Sequence, residues 1–414
     1  MGQVVGDEPQ AVEAGASVLA HGGDAADAAA ATYFALAVTY PMAAGLGGGG
    51  VCILYNSAQQ KADEFDFLAR QASAGGAYAI PGNVAGFAEL QSVYGRLPWQ
   101  RVVSPAEGYA AAGFSLSQAL HARLETNQDV IRLDAELARE FFDETGQLRP
   151  VGATLAAPAL AQTLSQIRVH GADALYKGAM ADAIAGYAQS QGGTITAAEL
   201  SSYRPRRDTP VKIAINGATA FLPSETIGAG QYAQALFAKL VDSQGEMVDA
   251  KHAAASVASA TKTTLDSFKI ASLPRDLGAT GFAVADPSGQ AVSCAVTMNG
   301  PFGSGRTAAN SGVVLASAPQ SGGVGLSPAF LTPAIAASDG AFAFAGAGAG
   351  GPNGTAIVAL ALVDALKGNE LTRPGALHTT GLEPFETANV IQCLGGSCAA
   401  AADPKAFGLG AAAH

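Results

Sequence analysis

The spacing of apolar and polar residues predicts helices near the start of the chain, followed by a first pair of strands. Residues 7–37 are rich in Ala, Val and Leu and are interrupted by Gly22 and Gly23. This pattern predicts two helices joined by a tight turn, with Asp24 capping the second. The apolar run VCILY at 51–55 and the FDFLAR segment at 65–70 predict a β-hairpin.

Further along the chain, a long helical block gives way to strands. Residues 84–193 have a mostly helical pattern broken by Pro and Gly and carry no cluster that indicates chemistry, so we interpret them as scaffold. Strands are predicted at 211–215 and 218–222, helices between about 228 and 270, and a hairpin from GFAVAD and AVSCAVTMN joined by PSGQ. Strands are also predicted at GVVLA, PAIAA and AFAFAG, in a last third dominated by strands. Such blocks favour an α+β fold in which two sheets lie between helical layers.

Composition narrows the class of protein. With 414 residues, 49% hydrophobic and 14% charged, the chain can bury a large core as one domain or two intimate ones. A net charge of -11 argues against nucleic acid as a partner, because phosphate binding needs clustered Lys and Arg. The longest apolar stretch, 28–46, is broken by Pro41, so we expect a buried helix and no membrane span. The first ten residues lack the regions of a signal peptide, which indicates a mature or trimmed form.

The four cysteines fall into two groups. Cys52 and Cys294 stand singly in apolar runs, so we expect buried thiols. Cys393 and Cys398 bracket a loop short enough to close a disulfide, which would favour the periplasm. No second Cys or His pair lies nearby at zinc spacing, so a metal is not expected.

Seven segments, in a fixed order, resemble the γ-glutamyltransferase (γ-glutamyltranspeptidase) family. They are GGDAADAAAATYFAL at 22–36, GLGGGG at 45–50, PGNVAGF at 81–87, YGRLPW at 94–99, ADALYKGAMADAI at 172–184, QGGTITAAEL at 191–200 and DPSGQAVSCAVTMNGPFGSG at 286–305. The resemblance spans nearly the whole chain, although residues 231–279 are fewer than the family usually places there. The chain is therefore identified as a shortened, divergent member.

The resemblance implies the four-layer αββα sandwich of the N-terminal-nucleophile hydrolases. Family members are made as one precursor that cuts itself and frees a threonine, whose own amine acts as the base. The resemblance also implies a large-subunit-like region at 1–278, a small-subunit-like region at 279–414 and a small γ-glutamyl substrate such as glutathione. The expected location is periplasmic or secreted, because a disulfide between Cys393 and Cys398 would favour it. We expect no cofactor, because GLGGGG follows a helix and precedes a strand, the reverse of a dinucleotide fingerprint.

The nucleophile position is where the chain departs most from the family. The family opens this strand with Thr-Thr-His-aromatic, whereas the corresponding run here begins with Ala279 and Thr280. A methyl group cannot attack a carbonyl. Thr280 becomes the candidate nucleophile only if the strand starts one residue late, because neighbouring strand residues face opposite sides; an ordinary strand threonine is the alternative. Thr297 and Asn299 match the family's supporting pair on the partner strand, although both could be plain strand-end residues.

The remaining pocket residues match the family in part. Arg70 lies two positions from the family's carboxylate-gripping arginine, which returns it to the same strand face, but it could equally be a surface arginine. Gly350 and Gly351 match the pair whose N–H groups form the family's oxyanion hole, or else form a simple turn. The family's acidic pair for the substrate amine has no equivalent, and its Ser-Ser pair is replaced by Ala329 and Phe330.

Two functions remain open on the sequence. One is a self-processing γ-glutamyl hydrolase or transferase that uses Thr280, supported by Thr297, Asn299 and the glycine pair. The other is a non-catalytic homologue that serves as a binding or structural subunit, which would imply a protein partner; Ala279 favours this alternative. A deliberate replacement of a threonine by Ala279 would give the same sequence.

Overall fold

The structure, a computed structural model, describes residues 2–215, 217–225, 228–242, 248, 250–308, 310–319, 325–369, 371 and 385–413. Its strands, in chain order, are β1 Gln3–Gly6, β2 Gly49–Asn56, β3 Lys61–Phe67, β4 Arg70–Gln71, β5 Ala79–Ile80, β6 Phe114–Ser115, β7 Thr154–Leu155, β8 Arg206–Asp208, β9 Val211–Ile215, β10 Ala218–Leu222, β11 Ala279–Ala285, β12 Gln290–Thr297, β13 Thr307–Ala308, β14 Val313–Val314, β15 Thr332–Ser338, β16 Ala341–Ala349, β17 Thr387–Leu394, β18 Ser397–Ala401 and β19 Leu409–Ala412.

The helices form two groups along the chain, α1 to α12 before residue 203 and α13 to α15 after residue 227. They are α1 Pro9–Ala20, α2 Ala25–Thr39, α3 Pro41–Ala44, α4 Asn83–Tyr94, α5 Trp99–Ala112, α6 Gln118–Thr126, α7 Gln128–Ile131, α8 Ala135–Phe141, α9 Pro158–His170, α10 Asp173–Tyr176, α11 Gly178–Ser190, α12 Ala197–Ser202, α13 Gly228–Leu240, α14 Ala250–Phe268 and α15 Pro352–Leu366. Among the described residues, no helix is both long and apolar enough to cross a bilayer.

Two antiparallel sheets form the centre of the molecule. The first has the order β19-β1-β11-β12-β2-β3-β8 and the second the order β18-β17-β16-β15-β10-β9. Their facing sides meet through small and branched apolar residues such as Val5, Ile53, Ala283 and Ile335. Helices α1, α2, α4 and α5 cover the first sheet, and α13 to α15 cover the second. The predicted αββα arrangement is therefore confirmed.

Helix α2 shows how the sequence sets this packing. Asp24 accepts from the backbone N–H of Asp27, and the Asp27 carboxylate accepts from the N–H of Asp24, which forms a capping box. Every residue from Ala25 to Thr39 is buried, because the helix lies between the first sheet and the outer helices. Its alanines allow this close approach on all sides.

The hairpin of β11 and β12 places the predicted nucleophile segment. The register sets Ala279 opposite Thr297 and Thr280 opposite Val296, as expected from the length of the turn. Strand β12 also pairs with β2, where Cys294 lies opposite Cys52. These two residues form a disulfide, so the expectation of two buried thiols is wrong, although both are buried as expected. Cys393 and Cys398 are also bridged, as predicted from their short loop.

Several elements differ from the sequence-based expectation. Strand β1 is too short for a clear pattern and is buried along its whole length. Helix α15 lies within the part of the chain where strands were expected, and eleven of its fifteen residues are buried. It therefore lacks the polar face that marks a helix in a sequence. GVVLA is only partly extended, as the two-residue strand β14.

Candidate active site

Strand β11 begins with a methyl group that points into the space between the two sheets. Ala279 is 1% exposed and packs in a small apolar cluster with Ala295 of the first sheet. Ala349 of the second sheet and Leu331, which lies just before β15, belong to the same cluster. Because strand residues alternate, Gly281 and Ala283 share this side. The side chain at the position where the sequence predicts a nucleophile therefore lies buried in an apolar cluster and has no hydroxyl.

The carbonyl group just before Ala279 is held by hydrogen bonds. Thr297 Oγ1 donates to the carbonyl oxygen of Gly278 at 2.9 Å, and the backbone N–H of Met298 donates to the same oxygen at 2.9 Å. Gly278 has a φ of +60°, and a Cβ there would collide with the backbone of Gly300. The peptide that joins Gly278 to Ala279 is thus fixed on its carbonyl side by Thr297.

Thr297 is the centre of a small hydroxyl network. Ser327 Oγ lies 2.6 Å from Thr297 Oγ1, and the backbone N–H of Asn299 donates to Thr297 Oγ1 at 2.9 Å. Asn299 adopts a left-handed conformation, with φ of +59°, and its Nδ2 donates to the carbonyl oxygen of Ser317 at 2.8 Å. The structure therefore brings Thr297, Asn299 and Ser327 together beside Ala279.

Asn299 also carries a buried acceptor without a partner. Its Oδ1 is out of contact with solvent and has no hydrogen-bond donor among the described residues. A buried amide oxygen left unpaired costs about 1–3 kcal/mol. This atom is thus suited to accept a hydrogen bond from a ligand.

Gly350 and Gly351 lie between the end of β16 and the start of α15. Their φ angles of +82° and +157° favour glycine. A Cβ on Gly350 would collide with the Phe385 carbonyl, and one on Gly351 with the Glu386 carboxylate. The pair is close to β11, since the preceding residue, Ala349, packs in the same cluster as Ala279. The Glu386 carboxylate thus lies at the N-terminal end of α15, where a negative charge is favourable.

Arg70 begins the short strand β4, and its guanidinium lies 4.6 Å from the centre of the Tyr203 ring. Its Nη2 atom is buried and finds no acceptor in the described parts of the chain. A buried guanidinium N–H without an acceptor is costly and is well matched to a carboxylate. Arg70 is therefore a candidate anion-binding residue on geometry as well as on its position in the sequence.

A continuous set of backbone contacts connects Arg70 with Asn299. Arg70 pairs with Ile80, and the N–H of the next residue back, Ala79, donates to Ala316 O at 3.0 Å. Ser317 follows Ala316 and accepts from the Asn299 side chain. The Nη2 atom of Arg70 and the Oδ1 atom of Asn299, both without a hydrogen-bond partner among the described residues, therefore belong to segments that are hydrogen-bonded in series.

Thr280 lies on the opposite side of β11 from Ala279. Its side chain is fully buried, and its Oγ1 donates to Asp7 Oδ2 at 2.7 Å. Asp7 also accepts from Thr387 Oγ1 at 2.9 Å and from Asn389 Nδ2 at 2.7 Å. Burial raises the pKa of Asp7 despite these three hydrogen bonds. The structure therefore does not bring Thr280 together with Thr297 and Asn299.

A buried ion pair lies next to the Gly278–Ala279 peptide, and the sequence analysis did not predict it. Arg123 of α6 binds Asp276 through two hydrogen bonds, and both side chains are 3% exposed. Arg123 Nη1 also donates to the carbonyl oxygen of Ala279 at 3.1 Å, and Asp276 Oδ1 accepts from the N–H of Gly278 at 2.7 Å. The pair raises the pKa of Arg123 above its already high value. It clamps both sides of the Gly278–Ala279 peptide.

The fold places the chain in a known structural class. Over 99% of the chain and 95% of the compared chain, the structure matches cephalosporin acylase from Bacillus halodurans with a TM-score of 0.77 and 18% identity. It also matches Helicobacter pylori γ-glutamyltranspeptidase with a TM-score of 0.56 and 25% identity, over 64% of this chain and 84% of that one. The chain has the fold of the N-terminal-nucleophile hydrolases.

Sequence comparison identifies the family within this class. The γ-glutamyltranspeptidase family model matches residues 11–276, and the chain belongs to that family. It is 34% identical to the glutathione hydrolase proenzyme of Escherichia coli over 230 residues, which is 51% of this chain and 40% of that protein. It is 33% identical to glutathione hydrolase 3 of Arabidopsis thaliana over 53% of this chain and 37% of that protein. These alignments thus span about two fifths of the curated relatives.

Proposed function

We propose that this chain is a non-catalytic member of the γ-glutamyltranspeptidase family that binds small γ-glutamyl compounds without cleaving them. The observation that carries the proposal is the methyl group of Ala279 beside Thr297, at the position of the family's nucleophile. An alanine has no atom that can attack an acyl carbon. The peptide bond between Gly278 and Ala279 is nevertheless held on both sides. Thr297 donates a hydrogen bond to the Gly278 carbonyl oxygen, and Arg123 donates one to the Ala279 carbonyl oxygen.

Recognition of the ligand rests on Arg70 and Asn299 in this proposal. A γ-glutamyl group ends in an α-amino acid, which carries a carboxylate and an ammonium close together. The buried Nη2 of Arg70 supports binding of the carboxylate, and the buried Oδ1 of Asn299 supports a hydrogen bond from the ammonium. The activity for which these relatives are named, glutathione hydrolysis, supports glutathione as the first ligand to test.

Binding of glutathione is expected to depend on Arg70. Replacing Arg70 with glutamine should weaken binding at least about tenfold, because a charge-assisted bidentate contact contributes roughly 1.5–3 kcal/mol. Isothermal titration calorimetry measures the affinity, and chromatography of the mixture shows whether glutathione stays intact. Arg101→Gln, which removes an exposed arginine on α5, is the matched control and should bind as the unmodified protein does. Equal affinities for the two variants would contradict the role of Arg70.

A competing hypothesis uses Thr280 as the nucleophile after cleavage between Ala279 and Thr280. Its support is the hydrogen bond that Thr280 Oγ1 donates to the carboxylate of Asp7, whose pKa is raised by burial. Against it, the Thr280 hydroxyl is fully buried on the side of β11 away from Thr297. Cleavage would also have to occur inside a paired strand.

Intact mass spectrometry distinguishes these two functions. We expect one species of 41.2 kDa, because no hydroxyl lies at position 279 to attack the Gly278 carbonyl. Two fragments, the second starting at Thr280, would contradict the non-catalytic proposal and support the competing one.

Restoring a hydroxyl tests whether the nucleophile is the missing part. In Ala279→Ser, the new hydroxyl would attack the Gly278 carbonyl carbon and form an ester as the amide bond breaks and frees the amine of residue 279. Water then hydrolyses the ester, and Thr297 stabilises the developing oxyanion. We expect fragments 1–278 and 279–414, and no cleavage when Thr297→Ala is added. An intact Ala279→Ser protein would show that more than the nucleophile is lost.

The two disulfides bear on where the protein works. Disulfides persist in oxidising compartments and are rare in the cytosol, so Cys52–Cys294 and Cys393–Cys398 support the periplasmic or secreted location as a proposal.

A further inference from the structure

A cavity lies beside Arg123, and Ala279 is not among the residues that line it. Its volume is about 610 Å³, within the usual range of about 300–1,000 Å³ for small-molecule sites. Its walls come from the end of α2, from α6, from the segment before β11, from the start of β17 and from residues 405–407. Arg70, Asn299, Gly350 and Gly351 do not line it.

The charges around this cavity favour an anion. Arg123, Arg275 and Lys405 line it together with a single carboxylate, that of Glu125. Arg123 is neutralised by Asp276, but Arg275 and Lys405 form no ion pair with any residue that the structure describes. In a chain with a net charge of -11, Arg275 and Lys405 bring two exposed positive charges to one cavity, and the nearby carboxylate of Asp403 acts on Lys405 alone.

Aromatic rings provide the apolar part of the same cavity. Tyr40 and Phe385 are buried walls, and the Arg123 guanidinium lies 5.2 and 5.3 Å from their ring centres. Phe407 is 48% exposed and adopts a left-handed φ of +58°. An exposed phenylalanine in this conformation is strained, and such strain is concentrated at binding sites.

We propose that this cavity binds a small anion with an aromatic body. Arg275 and Lys405 pair with its carboxylate or phosphate, and Tyr40, Phe385 and Phe407 pack against its ring. Arg123 connects the cavity with the Gly278–Ala279 peptide, because it lines the cavity and also donates a hydrogen bond to the carbonyl oxygen of Ala279. This site does not depend on whether the chain binds or cleaves γ-glutamyl compounds.

Calorimetry with phenyl phosphate, benzoate and benzylamine tests the charge preference. Both anions are expected to bind saturably and at least about tenfold more tightly than benzylamine, which has the same ring and the opposite charge. Tighter binding of phenyl phosphate would identify phosphates as the preferred class, and tighter binding of benzoate would identify carboxylates. Equal binding of anions and amine, or no saturation up to about 10 mM, would overturn the proposal.

Variants at the mouth of the cavity locate the binding. Arg275→Gln combined with Lys405→Gln should weaken the preferred anion at least fivefold, and Phe407→Ala should weaken it about threefold. These side chains are exposed, so their loss leaves the fold intact. Lys177→Gln, another exposed lysine, is the control and should change nothing. Unchanged affinities in all variants, or competition by glutathione that Arg70→Gln removes, would overturn this site and leave the γ-glutamyl proposal standing.

Discussion

Replacing Arg123 with methionine is expected to lower the free energy of unfolding by about 3–5 kcal/mol. Removing one partner of a buried ion pair leaves the other charge without compensation, and Arg123 and Asp276 are both 3% exposed. The variant also loses the hydrogen bond to the Ala279 carbonyl. The shift of the urea unfolding curve measures the effect.

Two comparisons separate the buried charge from a general effect of removing a cation. Lys177→Met removes one side of an ion pair in which the two side chains are 49% and 66% exposed, and its cost should stay below about 1 kcal/mol. Adding Asp276→Asn to Arg123→Met should restore part of the lost stability, since no unpaired carboxylate remains. A cost for Arg123→Met as small as that of Lys177→Met would contradict the structure of this site.

Replacing Cys52 and Cys294 with alanine is expected to cost about 3–5 kcal/mol. The disulfide joins residues 242 positions apart, and a bridge across a long loop restricts the unfolded chain most. Cys393→Ala with Cys398→Ala is the matched control. Its residues are five positions apart, so the expected cost is only about 2 kcal/mol.

Reducing agent shows whether the bridge or the packing is responsible. With the disulfides reduced, the unmodified protein and the Cys52/Cys294 variant should unfold at nearly the same urea concentration. A difference that persists under reduction would assign the loss to packing of the buried side chains and count against the bridge.

The sequence predicts those parts of the site that depend on local order. The hairpin of β11 and β12 has alternating apolar residues and a clear turn, and its length alone sets Ala279 opposite Thr297. Asp24 is recognisable as a cap because capping uses residues three apart. The two-sheet arrangement follows from the order of helical and strand blocks.

The parts that were missed depend on contacts between distant residues. Arg123 meets Asp276 across 153 positions, and nothing in the pattern of α6 marks one arginine as buried. Cys52 and Cys294 become neighbours only because β2 and β12 pair. The burial of Thr280 against Asp7 also depends on the distant strand β1, which ends at Gly6.

The position of β1 has a consequence for how the protein is made. Residues 3–6 lie between residues 282–285 on one side and residues 409–412 on the other. A ribosome produces both partner segments hundreds of residues after residues 3–6, so β1 stays unpaired until each of them has been made. Non-local pairing of this kind slows folding, and the unpaired strand remains open to chaperones throughout that interval.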